Sequence, residues 1–126
     1  MKYAVSISLG SSARDKRVEV NFNGEKVVIE RMGMDGDVEK AKRTYESLDG
    51  QVDAFGMGGL DMYLRVAGKE HPLKAALKLI ENVHQTPVVD GRGLKHTLER
   101  RVFERAAPAL GGIPSFHKAF IPVAVD

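Results

Sequence analysis

The sequence predicts a mixed α/β domain, and three observations carry that expectation. The N-terminal third alternates apolar and polar side chains with a period of two. Later stretches space their apolar residues by three and four, and short apolar runs between them end on glycine. With 126 residues, 43% apolar and 29% charged, the chain has a globular composition and enough length for one hydrophobic core.

The elements follow in order. Tyr3, Val5, Ile7 and Leu9 alternate with Ala4, Ser6 and Ser8, a strand with one apolar face that Gly10-Ser11-Ser12 ends. Val18, Val20 and Phe22 form a second strand and lead into Asn23-Gly24, whose residues favour the positive φ of a two-residue hairpin. Lys26 to Met32 is the return strand, so the opening reads as three antiparallel strands. Asp35-Gly36-Asp37 then offers an N-cap, and Val38, Ala41, Tyr45 and Leu48 fall on one helical face until Gly50. Val52 to Met57 is a buried strand. Met62 to Val66 fits a short strand or one helical turn. Pro72 suits the first turn of a second helix, with Leu73, Ala76, Leu77, Ile80 and Val83 as its inner stripe. Pro87-Val88-Val89 is a short buried strand. A third helix follows with Leu94, Leu98, Val102 and Ala106 inward, stopping near Pro108 and Gly111-Gly112.

The order is therefore β-β-β-α-β-(β)-α-β-α-β. Right-handed crossovers would set the later strands parallel beside the antiparallel start, with helices on the faces of the sheet, in a ribonuclease-H-like or Rossmann-like arrangement. Residues 1–112 form this domain. Residues 113–126 read as a linker and a terminal strand, Ala119 to Val125, that has the pattern of the first strand of a second α/β domain.

The bulk numbers exclude several functions. Nineteen basic and seventeen acidic residues give a net charge of +2, too balanced for a nucleic-acid surface, and aromatic platforms for RNA are scarce. No cysteine means no disulfide, thiolate metal site or cysteine nucleophile. The four histidines, His71, His84, His96 and His117, lack metal-ligand spacing, so no metal is expected. No signal peptide or membrane-length apolar run is present, which places the protein in the cytoplasm by default. A small-molecule ligand and a homo-oligomer are the expected partners.

Three strand-end turns carry the candidate chemistry, because open α/β sheets gather ligands at the carboxyl ends of their strands. The first holds Ser8, Gly10, Ser11, Ser12, Arg14 and Asp15, where hydroxyls, turn N–H groups and an arginine suit an oxyanion or phosphate, or else serve turn geometry alone. The second holds Gly56, Gly58, Gly59 and Asp61. Its glycines admit a close ligand or a neighbouring backbone, but the G-x-G-x-x-G dinucleotide spacing fails. The third, Asp90, Gly91, Arg92, Gly93 and Lys95, opens a helix whose N-terminus favours an anion, or is a solvated turn. No residue is assigned a catalytic role.

Ser8 to Val20, Gly56 to Leu64 and Thr86 to Arg101 together resemble a bacterial family that carries the label quinate 5-dehydrogenase, over most of residues 2–105. The resemblance implies a substrate-binding α/β domain of a metabolic oxidoreductase, with NAD(P) held by a second domain outside this chain. The Asn-Val-Thr-x-Pro-x-Lys segment of established quinate and shikimate dehydrogenases has no counterpart here, so no catalytic lysine or aspartate carries over. A looser likeness is to the ribonuclease-H-like half of sugar and acetate kinases, which implies a phosphate at the Gly10-Ser11-Ser12 turn. There Ser8-Leu9 stands where an acidic residue or Asn is expected. The third alternative is a non-catalytic assembly domain.

Overall fold

The structure is a computed structural model, and it describes residues 1–112. Among them the chain forms a five-stranded mixed sheet with helices, the α/β class expected. The strands are β1 (Lys2–Ser8), β2 (Lys16–Phe22), β3 (Glu25–Gly33), β4 (Ala54–Gly58) and β7 (Val88–Val89), in the order β2-β3-β1-β4-β7. A separate hairpin pairs β5 (Tyr63–Val66) with β6 (Lys69–Pro72). The helices are α1 (Val38–Leu48), α2 (Lys74–Leu79), α3 (Arg92–His96) and α4 (Val102–Leu110). The expected terminal strand, Ala119 to Val125, lies outside the described residues.

The antiparallel start is the β2–β3 hairpin, closed by Asn23 at φ 51° and Gly24 at φ 82°. These are the two positive φ values that a type I′ turn requires. The opening is not a three-stranded antiparallel ribbon, however. β1 does not pair with β2; it pairs with β3, in parallel, from Lys2 opposite Val27 to Ser8 opposite Gly33. The reason lies in hydrophobic content. β2 is exposed along its whole length, whereas Val28 of β3 is 1% exposed, opposite Tyr3 and on the same face as Val5 and Ile7. A strand as apolar as β1 gains most between β3 and β4, and there it is buried from both sides.

Tyr3, Val5, Ile7, Val28, Phe55 and Met57 share one face of the sheet. Ala41 and Tyr45 of α1 and Leu79 of α2 pack there with Val5, Ile7, Met34, Val52 and Phe55 to form the main core. The Tyr45 and Phe55 rings meet edge to face at 5.1 Å. Ala4, Ser6, Ala54 and Gly56 point to the opposite face. α1 and α2 thus lie together on one face of the sheet, rather than one on each.

Of the two readings open for Met62 to Val66, strand is the one realised, over Tyr63–Val66, because Ala67 and Gly68 (φ 49° and 79°) make a second tight turn and pair it with β6. Three local features differ from the sequence expectation. Pro72 ends β6 opposite Tyr63 instead of opening a helix; lacking an N–H, it suits a strand end. α2 starts two residues later, and Leu73 stays 36% exposed. The third helix is interrupted: Thr97 (φ −121°, ψ −77°) breaks it after His96, a 3-10 turn spans Glu99–Arg101, and α4 runs through Pro108 to a left-handed Gly111. Leu94, Leu98 and Val102, expected inward, are 59%, 53% and 51% exposed. A broken helix cannot hold one continuous stripe against a sheet.

Candidate functional site

β1, β3, β4 and β7 run parallel, so Ser8, Gly33, Gly58 and Val89 all end at one edge. The chain leaves β1 towards β3 on one side, then crosses through α1 to β4 on the other. The winding therefore reverses at β1–β4, the switch point where open α/β sheets form a crevice for ligands. Two of the three predicted turns meet there, and the third stands beside them across β4.

Ser8 is 6% exposed and lies opposite Gly58 in the ladder. Its Oγ accepts the Gly10 N–H at 3.1 Å. Gly10 has no side chain because its space is taken: a Cβ there would lie 2.6 Å from Arg14 Nη2, 3.2 Å from Arg31 Nη2 and 3.3 Å from Ser8 Oγ. Two guanidinium groups and a hydroxyl thus converge over one backbone position. Arg31 is neutralised by Asp15 at 2.9 Å and also donates to the Ser11 carbonyl. Arg14 is exposed and has no ion pair or side-chain hydrogen bond among the described residues.

The turn N–H groups expected to cradle an oxyanion are largely committed. Ser12 N–H donates to Asp35 (2.7 Å), Ala13 N–H to Ser11 Oγ (3.2 Å) and Gly33 N–H to Asp15 (2.6 Å). The Ser12 amide holds the Asp35 carboxyl below its ordinary value. The recognition capacity of this loop is therefore in side chains, with Arg14 foremost. Arg31, Gly33 and Asp35 join the candidate site through contacts to this loop, and the sequence did not single them out. Their signal is the match between β3 and β1, which appears only once the strand order is known.

The second cluster lies across β4. The Asp90 side chain is 4% exposed and accepts the N–H groups of Met62 (2.9 Å) and Arg92 (3.2 Å) and the Arg92 guanidinium. Burial pushes this carboxyl up, but the three donors outweigh burial and hold it below the usual range. Arg92 also pairs with Glu70 at 2.9 Å and stacks 4.5 Å from the Tyr63 ring, which pins the β5–β6 hairpin to the β7 turn. Lys95 pairs with Asp61 at 2.8 Å. Gly91 takes a left-handed φ of 82°, while no atom lies within 4 Å of a Cβ built on Gly93. An open groove of about 490 Å³ runs along Met62, Asp90, Gly91, Arg92, Gly93 and Leu94. Asp61, Asp90, Arg92 and Lys95 are thus mutually neutralised, which suits them to position the groove. Gly56 sits within β4 opposite Ser6, below the edge and outside both clusters.

The donor set does not fit a dinucleotide. A pyrophosphate needs a glycine turn running into a helix N-terminus. Here β1 is followed by a 3-10 turn, β4 by a hairpin, and β7 by a five-residue helix. The helix after β3, α1, is capped by the Asp37 carboxylate and carries Glu39 in its first turn, charges that repel phosphate. No cluster of metal-ligating side chains occurs among the described residues. No helix among them is long and apolar enough to cross a membrane.

Fold and edge together define an open α/β domain whose switch-point edge brings together the Ser8–Asp15 loop, Gly33, Asp35 and Gly58. The chain belongs to the family described as Domain of unknown function (DUF8753), whose model matches residues 3–90, from β1 to Asp90. No curated protein and no solved structure matches it.

Proposed function

We propose that this chain is the substrate-binding α/β domain of a metabolic enzyme of the dehydrogenase class, taking a small polyhydroxy carboxylate at the β1–β4 crevice. The observation that carries this is Arg14. Arg31, Arg92 and Lys95 at the same edge all have carboxylate partners, whereas Arg14 has none and lies over Gly10 beside the Ser8 hydroxyl. A planar guanidinium binds a carboxylate through two parallel hydrogen bonds, and the exposed Ser11 in the same loop is the hydroxyl placed to meet a substrate hydroxyl. The resemblance to the family labelled quinate 5-dehydrogenase supplies the substrate class. The nicotinamide belongs elsewhere on this reading, since the described residues have no pyrophosphate cradle.

A nucleotide-binding role has less support: the turn N–H groups after β1 are occupied, and β1 is not part of an antiparallel meander. The test is a thermal-shift survey of the purified chain with quinate, inorganic phosphate, NADH and Mg-ATP. Quinate raises the melting temperature in a saturable way, and NADH does not. Stabilisation by Mg-ATP with indifference to quinate would overturn the proposal in favour of the nucleotide role.

A further inference from the structure

β2 is the edge of the sheet, and all seven of its residues are exposed. Its outer side offers a full row of backbone donors and acceptors. In a two-residue hairpin the closing pair, Phe22 and Glu25, is hydrogen-bonded. Lys16, Val18, Val20 and Phe22 therefore turn their N–H and C=O groups towards β3, and Arg17, Glu19 and Asn21 turn theirs outwards.

The charges along this edge select an occupant. On the helix-bearing face, Glu30 of β3 pairs with Arg17 at 2.7 Å, and Lys26 of β3 pairs with Glu19 at 2.6 Å. Arg17 also lies 5.2 Å from the Tyr3 ring, which braces it. On the other face Val18, Val20, Phe22 and Ile29 are 36%, 43%, 68% and 43% exposed, an apolar strip with no covering element among the described residues.

We infer that β2 pairs antiparallel with β2 of a second copy of this chain, about a two-fold axis at Val18. In that register Arg17 faces the partner's Glu19, and Glu19 faces the partner's Arg17, as hydrogen-bonded pairs whose backbone groups already point outwards. The charge row across the four strands then alternates in sign: Glu30, Arg17, the partner's Glu19, the partner's Lys26. Val18 meets the partner's Val18 on the apolar face, so the strips of the two copies join. The neighbouring even register would set Glu19 against the partner's Glu19, which like-charge repulsion disfavours. An odd register would turn apolar side chains onto the charged face. Two copies thus form one ten-stranded sheet, and both crevices stay open because they lie at the strand ends. This inference does not rest on the ligand proposed above.

Sedimentation equilibrium of the full chain tests it, with circular dichroism confirming that each variant is folded. The wild type is a dimer at tens of micromolar. Glu19→Lys and Arg17→Glu, each alone, place like charges opposite one another twice and weaken self-association by at least about tenfold. Mixed together, the two variants restore a dimer, because each then offers the charge the other lacks. Val18→Cys, in a chain with no other cysteine, cross-links quantitatively on mild oxidation, since a non-hydrogen-bonded pair sets its Cα atoms about 4.5 Å apart. Val20→Cys, facing the partner's Lys16, does not. A monomeric wild type, or equal cross-linking at positions 18 and 20, overturns the inference.

Discussion

Ser8 and Gly58 stand opposite one another in the β1–β4 ladder, and a Cβ on Gly58 would lie 2.7 Å from the Cβ of Ser8. This contact lets the central strands close tightly beneath the crevice. Gly58→Ala forces Ser8 or its backbone to move and destabilises the domain by about 1–3 kcal/mol. Gly93→Ala meets open space in a helix and is neutral or slightly stabilising. Urea unfolding of the two variants checks the contrast.

Gly10 and Gly33 flank the same loop but fail differently. A Cβ on Gly33 would lie 2.6 Å from the Ser11 and Ser12 backbone, which has nowhere to go. On Gly10 it meets chiefly the end of the Arg14 side chain, which can swing away. Gly33→Ala therefore lowers the melting temperature by several degrees. Gly10→Ala leaves it nearly unchanged yet weakens carboxylate binding, because Arg14 has been displaced. Calorimetry of unfolding and of binding separates the two effects.

Tyr45 fills the core with its ring, while its hydroxyl reaches the Ile7 and Gly56 carbonyls only at 3.3 and 3.4 Å. Burial pushes the phenol pKa up. The ring matters more than these long hydrogen bonds. Tyr45→Phe costs under about 1 kcal/mol, and Tyr45→Ala about 3–5 kcal/mol through the cavity it leaves. Denaturant titration reads both.

Asp49 closes α1 and accepts the N–H groups of His84, Gln85 and Thr86. These bonds, that from His84 foremost, hold its carboxyl at about 2, below the ordinary 3.8. A depressed folded pKa stabilises the protein above the unfolded value, and this stability is lost as pH falls through the folded value. Asp49→Asn therefore lowers the melting temperature at pH 7, and its gap from wild type narrows between about pH 4 and pH 2. A gap independent of pH would contradict this role.

Much of the fold was legible because its signals are local. The Asn23-Gly24 hairpin, the α1 stripe of Ala41 and Tyr45, and the glycine ends of β1 and β4 each follow from neighbours in the chain. Strand order is not local: the alternation within residues 2–33 fits either neighbour for β1, burial decides for β3, and Arg31 and Asp35 entered the candidate site only through that pairing. Likewise Pro72 is compatible with a helix start or a strand end, and the β5–β6 pairing decides. The stripe of Leu94, Leu98 and Val102 had helical spacing, but the break at Thr97 left it without a surface to cover. Of the predicted site residues, Ser8, Gly10, Ser11, Ser12, Arg14, Asp15, Gly58 and Gly59 gather at the switch point. Asp61, Asp90, Arg92 and Lys95 form a separate, self-neutralised network beside it.

In the function proposed above, Arg14 anchors the substrate carboxylate. Isothermal titration of quinate into the wild-type chain and into Arg14→Ala tests it most directly. Loss of one charge-assisted pair predicts saturable wild-type binding weakened about 10- to 100-fold in the variant, with Arg14→Lys between the two. Equal affinity in wild type and Arg14→Ala, or no heat from the wild type, would contradict it.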